Sequence, residues 1–125
     1  MRMRFTSILI TDEEQSLDFY VNKLGFKLVV DNPLPWGGRF LMLAPTDGGT
    51  KLVMSKPLPN RPDAQPGGFS NIAWECDDVD AIYEELRAKG VTFTQPPTRS
   101  AWGGVEAIFA DPDGNTFLLQ QGHMG

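Results

Sequence analysis

Four residues of this sequence have side chains that could act on a small molecule. Trp36 and Trp102 each begin a Trp-Gly-Gly, 66 residues apart, and flat indole faces stack on planar or cationic ligands. Glu75 and Glu106 lie in apolar surroundings, where a partly desolvated carboxylate can take a proton from a carbon beside a carbonyl. Each pair also has a structural alternative. The indoles could close the bottom of their own unit by packing against it. The carboxylates could be solvated charges at the edge of a sheet or could bridge two copies of the chain.

These residues belong to a sequence that repeats itself. Positions 35–54 return at 101–120 with eight identities, at an offset of 66 residues. A half of this size buries too little surface to be stable alone, so the repeat predicts two copies of one unit that pack together. We expect the site to lie in a cleft between the copies.

The elements follow from apolar periodicity and capping residues. Asp12 and Gly25 bound one helix and Gly90 ends another, as N-cap and left-handed C-terminal residues do. The predicted order is βαβββ twice, an α+β fold of tandem modules. The helices are expected over 13–24 and 79–89, and the strands over 3–10, 26–30, 38–44, 50–55, 70–76, 91–94, 104–110 and 116–121.

Chain organisation and composition limit the function. We expect one domain made of a module over 1–55, a proline-containing linker over 56–69, a module over 70–122 and a short tail over 123–125. A net charge of −5 and a pI near 4.7 disfavour nucleic acids and anionic membrane surfaces as partners. The alternating N-terminal segment indicates a strand rather than a signal peptide, and Cys76 is the one cysteine, so we expect a cytoplasmic protein without an internal disulfide.

Several motifs together resemble the vicinal oxygen chelate superfamily. They are Asp12 with Ser16, Phe19-Tyr20 and Leu24-Gly25-Phe26, then Asp77-Asp78-Val79-Asp80 with Gly90-Val91, and finally Asp111-Pro112-Asp113-Gly114-Asn115. This superfamily includes glyoxalase I, extradiol dioxygenases, methylmalonyl-CoA epimerase, and fosfomycin and bleomycin resistance proteins. The resemblance implies two βαβββ modules whose mixed sheets curl around a cleft with the helices outside, in a homodimer.

The resemblance also implies where a metal would bind. Aligned by Asp12 and the Asp-Pro-Asp-Gly-Asn turn, the ligand positions are Phe5, Leu52, Asn71 and Leu118. None is a histidine or a glutamate, and one neutral amide is a weak ligand for a divalent ion. The single histidine, His123, is near the end of the sequence. We therefore expect neither a metal nor another cofactor.

Strand alternation predicts which side chains line the cleft. Phe5, Ser7 and Leu9 should share one face, and Asn71, Ala73 and Glu75 another, which leaves Ile8, Ile10 and Trp74 toward the helices. By the same rule Leu52 brings Met54, and Leu118 brings Gln120. The predicted ligand-binding residues are Trp36, Trp102, Phe5, Ser7, Arg39, Phe40, Met54, Asn71, Glu75, Glu106 and Gln120.

Two classes of function are compatible with these residues. The first is a metal-independent protein that binds a small apolar or aromatic molecule, as in drug sequestration. The alternative is a glyoxalase-type lyase or isomerase with an atypical or absent metal site, in which Glu106 or Glu75 is the base and Arg39 or Asn71 stabilises the oxyanion. A structural or regulatory scaffold is a third possibility without a positive sign in the sequence.

Overall fold

The computed structural model describes residues 1–46, 48–101 and 103–122. The chain divides into two compact units, Met1–Gly67 and Gly68–Gly125. Within these described residues, each unit contains one helical segment and one four-stranded mixed sheet. The α+β class and the order βαβββ in each half confirm the prediction.

The first unit contains strand β1 (Phe5–Leu9), helix α1 (Glu13–Leu17) with a π-helical continuation (Asp18–Lys23), and strands β2 (Lys27–Pro33), β3 (Arg39–Ala44) and β4 (Lys51–Ser55). The second contains strand β5 (Gly68–Glu75), helix α2 (Val79–Ala88), and strands β6 (Thr92–Arg99), β7 (Val105–Ala110) and β8 (Asn115–Gln121). No helix among the described residues is long and apolar enough to cross a membrane.

The two sheets have equivalent strand orders. The first runs β1-β4-β3-β2 and the second β5-β8-β7-β6. In each sheet the first and last strands of the unit pair in parallel, and the other pairs are antiparallel. The first and last strands of a unit are therefore neighbours, so residues distant in the sequence meet on one surface.

Local capping explains where the helices begin. The Asp12 carboxylate accepts a hydrogen bond from the Gln15 backbone N–H, and Asp78 accepts one from the Ala81 N–H, both at 3.0 Å. These bonds satisfy donors that the first helical turn leaves unpaired. Gly25 follows the first helical segment with a φ of +80°, a conformation that glycine adopts without steric cost.

The strands differ from the prediction mainly in length. Strand β2 reaches Pro33 and strand β6 reaches Arg99, each several residues beyond its predicted end. Both are edge strands, and an edge strand accommodates prolines because one row of its N–H groups needs no partner. Gly68 and Phe69, expected in the linker, belong to β5.

The buried face of the first sheet corrects one prediction. Leu52 and Met54 were expected opposite the helix side, but the register aligns Met54 with Ile8 of β1 and Leu41 of β3. All three side chains are at most 6% exposed. Leu52 and Met54 therefore belong to the buried face, with Leu41 and Leu43.

The reason is the length of one turn. Leu43 lies opposite Leu52, whereas the equivalent Phe109 lies opposite Phe117. The first turn is thus one residue longer, and the ungapped repeat alignment fails beyond it. Because successive strand residues point to opposite faces, a shift of one residue exchanges the faces of every following side chain.

Aromatic side chains form the buried face of the second sheet. Phe117 is fully buried, and its ring is 5.4 Å from that of Phe109 and 6.0 Å from that of Trp74. Phe93 joins this cluster to Tyr83 of α2, with ring centroids 4.7 Å apart. Helix α2 therefore packs on this face, and Trp74 lies on the helix side as strand alternation predicted.

Candidate functional site

The opposite face of the second sheet, here called the open face, carries two rows of aligned side chains. The register places residues of four neighbouring strands side by side. The polar row consists of Glu75, Gln120, Glu106 and Thr98. The apolar row lies two residues from the polar row on each of the first three strands and consists of Ala73, Leu118 and Ile108. Gln95 of β6 is the register partner of Ile108 at the end of this row.

Two carboxylates define the electrostatics of the polar row. Gln120 donates a hydrogen bond from Nε2 to Oε1 of Glu106 at 3.4 Å, and Glu75 is the register partner of Gln120 on the other side. Neither Glu75 nor Glu106 forms an ion pair with any residue that the structure describes. This row therefore offers negative charge and hydrogen-bond acceptors.

The apolar row supplies contact area beside that charge. Leu118 and Ile108 are half-buried, and Ala73 is exposed. Strand alternation placed Leu118 on the cleft side, but neither Leu118 nor Ile108 was selected as a ligand-binding residue. The signal was alternation: Leu118 has Thr116 and Gln120 two residues to either side, and Ile108 lies two residues after Glu106. An apolar residue that shares a face with such polar residues has no core to fill.

The open face of the first sheet is more apolar. The rings of Phe5 and Phe40 meet edge to face, with centroids 6.4 Å apart. Strand β4 lies between their strands, so this contact must pass over it. Val53 and Met42, which share this face, are only 4% and 6% exposed. Ser7, the register partner of Val53, is exposed.

Asn71 occupies an irregular position in β5. The ladder with β8 shifts between Phe69 and Ala73, and Asn71 has a φ of +63°. The Ser70 hydroxyl stabilises this bulge by donating to the Thr116 carbonyl at 2.7 Å. A bulge breaks strict alternation, so the face of Asn71 cannot be deduced from that of Glu75, although both are exposed.

Arg39 is engaged in ion pairs. Its Nη1 lies 2.7 Å from Glu14 of α1 and its Nη2 lies 2.7 Å from Asp31 of β2. Its backbone N–H donates to the Glu13 carboxylate at 2.7 Å. Arg39 alternates with Phe40 along β3, and these bonds place it on the helix side of the sheet. The structure thus separates Arg39 from Phe40 and the other open-face residues of the first unit.

The Arg39 ion pair predicts a pH dependence of stability. The hydrogen bond from Arg39 lowers the pKa of Asp31 below its ordinary value. A carboxyl with a lower pKa in the folded state stabilises the fold above its unfolded pKa, and this contribution is lost as the pH falls through the folded pKa. We expect Asp31→Asn to be less stable than the native chain at neutral pH, with a difference that shrinks below about pH 4.

Urea denaturation at neutral and acid pH measures this difference. The exposed Asp63 provides the matched control, since Asp63→Asn removes the same charge without removing an ion pair. An equal loss of stability in both variants at neutral pH would contradict the role of Asp31.

The structure describes one of the two predicted stacking residues, Trp36. Trp36 is 54% exposed in the connection between β2 and β3, where the Leu34 N–H donates to the Gly38 carbonyl at 2.9 Å. An indole exposed to this extent is free to contact a ligand. Trp102 and His123 lie outside the described residues.

Cys76 has a raised thiol pKa because it is partly buried, and neighbouring carboxylates add to this effect. A raised pKa lowers the fraction of thiolate, the reactive form. Cys76 is therefore poorly suited to act as a nucleophile.

The positions where the resemblance implies a metal do not fit one. The corrected register makes Val53 of β4, rather than Leu52, the equivalent of Leu118 on β8. Phe5, Val53 and Leu118 have no side-chain atom that coordinates a cation, and Asn71 offers one amide oxygen. Within residues 1–46, 48–101 and 103–122, no three His, Cys, Asp or Glu side chains are grouped closely enough to hold a metal ion.

Comparison with known proteins agrees with this architecture. The model of the Glyoxalase/Bleomycin resistance protein/Dioxygenase superfamily matches residues 2–119. A solved member of that superfamily from Sphaerobacter thermophilus is 38% identical, with a TM-score of 0.89 and 98% of each chain covered. TnmS3, an antibiotic binding protein from Streptomyces sp. CB03234, is 36% identical, with a TM-score of 0.84 and coverage of 98% of this chain and 97% of TnmS3.

One curated relative has an enzyme name. The lactoylglutathione lyase GLX1 of Arabidopsis thaliana is 30% identical over 118 residues, which cover 90% of this chain but 42% of that protein. The match to the family model spans most of the sequence, and the two βαβββ units reproduce the fold of the solved relatives. The chain belongs to the Glyoxalase/Bleomycin resistance protein/Dioxygenase superfamily.

Proposed function

We propose that this protein binds a small apolar or aromatic molecule, without a metal, on the open face of its second sheet. The observation that carries this proposal is the apolar row beside a polar row whose two carboxylates have no cationic partner among the described residues. Ligand sites combine apolar contact area with a few polar groups that orient the ligand. Sequestration of a toxic compound needs this arrangement and no catalytic group.

The charge of the site suggests what the ligand carries. Glu75 and Glu106 lie on either side of Gln120 in one row, and the chain has a net charge of −5. A ligand with an amine or several N–H and O–H donors at one end would satisfy both carboxylates, while its apolar body covers Leu118 and Ile108. The similarity to the antibiotic-binding TnmS3 supports this class of ligand.

Glu106→Gln tests the proposal with a minimal change of shape. A panel of planar antibiotics, cationic and neutral, is screened by thermal shift, since a ligand of the folded state raises its melting temperature. Titration calorimetry then measures affinities. We expect Glu106→Gln to weaken the binding of cationic compounds by about tenfold or more, because a hydrogen bond to a charged group contributes about 1.5–3 kcal/mol.

The control is Glu84→Gln, which removes the same charge from an exposed position of α2. It should leave the affinities unchanged. Absence of any stabilising compound in the panel, or equal weakening by both variants, would argue against binding at the open face.

A glyoxalase-type lyase or isomerase is the second candidate, and the similarity to GLX1 favours it. Here Glu106 or Glu75 would be the base, with Asn71 as the neutral partner of the developing oxyanion. Arg39 is less suited to that role because Glu14 and Asp31 already occupy its guanidinium. Loss of turnover in Glu106→Gln with unchanged substrate affinity would identify the lyase, whereas loss of affinity without any turnover in the native protein identifies the binder.

The proposal includes a homodimer and a cytoplasmic location. Both depend on the family resemblance and on the composition of the sequence. Sedimentation equilibrium of the purified chain measures the first directly.

A further inference from the structure

A concave surface lies in the first unit, at the end of the sheet where the parallel strands β1 and β4 begin. The cavity has a volume of about 790 Å³ and is lined by Arg2, Met3, Arg4, Gly49, Thr50 and Lys51. This volume is within the range of small-molecule sites. None of the residues named above for the open faces contributes to it.

The cavity is positively charged in an acidic protein. Arg2, Arg4 and Lys51 line it, and none of them forms an ion pair with a residue in the described part of the chain. Elsewhere Arg39, Lys56, Lys89 and Arg99 are each paired with a carboxylate, whereas Arg61 also has no ion pair among the described residues. Three unneutralised cations around one cavity repel each other, and an anionic ligand would relieve that repulsion.

The backbone holds Arg4 and Lys51 near one another. The Lys51 N–H donates to the Arg4 carbonyl at 3.3 Å, which fixes the segment before β1 beside the start of β4. Gly49, between the strands, has a φ of +90°, and a Cβ at this position would meet no atom within 4 Å. The space over this glycine is therefore open, so a ligand can approach the backbone closely.

The side chains indicate the class of ligand. A guanidinium presents a planar fork of N–H donors that matches the oxygens of phosphate or carboxylate, and a lysine adds a compact point charge. A phosphate group carries about two negative charges near neutral pH and three acceptor oxygens. It balances three cations better than a single carboxylate does.

We propose that this cavity is a binding site for a small molecule that carries a phosphate or diphosphate group. The site is separate from the polar and apolar rows of the second sheet and does not depend on the function proposed for them. Its occupant is recognised by the two arginines and Lys51.

Titration calorimetry of the full chain with inorganic phosphate and with pyrophosphate, at one fixed ionic strength, tests this site. We expect pyrophosphate to bind more tightly than phosphate. Arg4→Gln should weaken pyrophosphate binding about tenfold, and the triple variant Arg2→Gln, Arg4→Gln, Lys51→Gln should abolish it. Arg61→Gln, which removes a charge from an exposed loop position outside the cavity, should bind as the native chain does.

Three results would overturn the proposal. The first is absence of binding to both phosphate probes, and the second is equal weakening by Arg61→Gln and Arg4→Gln, which indicates general charge attraction. The third is citrate binding as tight as pyrophosphate binding, since a site with that property does not select phosphate. Circular dichroism of each variant verifies the fold, which should persist because the altered side chains are surface groups and the Arg4 carbonyl remains.

Discussion

Replacing Phe117 by alanine is expected to lower the free energy of unfolding of the protein by about 3–5 kcal/mol. Phe117 is fully buried at the centre of the second sheet's helix side. Its ring packs against Phe109 at 5.4 Å and Trp74 at 6.0 Å. Truncation to a methyl group removes both contacts and leaves a cavity, because rigid neighbouring strands cannot collapse into the space.

Urea denaturation followed by circular dichroism measures this loss. Phe69→Ala is the matched control, because Phe69 is in the parallel neighbour strand but 54% exposed. It should change stability by no more than about 0.5 kcal/mol. Similar destabilisation by both substitutions would mean that the aromatic cluster around Phe117 is not the core of this unit.

Elements defined by local signals were predictable from the sequence. The helices begin after Asp12 and Asp78 because each carboxylate accepts a bond from a backbone N–H three residues later. Both signals are contained in a few consecutive residues. The βαβββ order follows from them, since each helix separates the first strand of its unit from the other three.

The strand register was not predictable in β4, because the turn between β3 and β4 is one residue longer than the equivalent turn between β7 and β8. Leu52 matches Leu118 in the repeat and Thr50 matches Thr116, which favours an alignment without a gap. In the structure Val53, not Leu52, is the equivalent of Leu118. Identical residue types in the aligned repeats do not show which face of the sheet a residue occupies, whereas the hydrogen-bond register of the strands determines it. The prediction that Met54 faces the cleft was wrong for this reason.

Side-chain partners were the other part that the sequence left open. The sequence shows that Arg39 is a cation beside an apolar strand. It does not show that the carboxylates of Glu14 and Asp31, 25 and 8 residues away, form hydrogen bonds with its guanidinium. Conversely, nothing in the sequence shows that Glu106 and Glu75 lack such partners among the described residues. The candidate site became visible only when the strand register showed which residues share a face and the ion pairs showed which charges are neutralised.

The two units, although copies of one plan, have different open faces. The first brings Phe5 and Phe40 together over β4 and has Val53 and Met42 buried there. The second has two carboxylates and an amide in one row across three strands. The helix-side faces of both units are apolar and buried, whereas the open faces differ in polarity. The polar row is therefore the part of the chain to which we assign ligand selectivity.

Placing a lysine at position 118 should abolish ligand binding while leaving the fold intact. Leu118 is half-buried at the centre of the apolar row, between Ala73 and Ile108. The four-carbon stem of a lysine can cover the same apolar surface while its ammonium reaches toward Glu75 or Glu106. The variant would thus remove apolar contact area and neutralise the carboxylates that attract the ligand.

We expect Leu118→Lys to weaken the binding of a cationic aromatic compound at least about a hundredfold, equivalent to roughly 2.7 kcal/mol. The expected change in melting temperature without ligand is small, because the substituted side chain lies on the face away from α2. Thr94→Lys, at an exposed position of edge strand β6, introduces the same charge outside both rows and should retain native affinity. Undiminished binding in Leu118→Lys would exclude the open face of the second sheet as the ligand site and direct attention to Trp36 and the first unit.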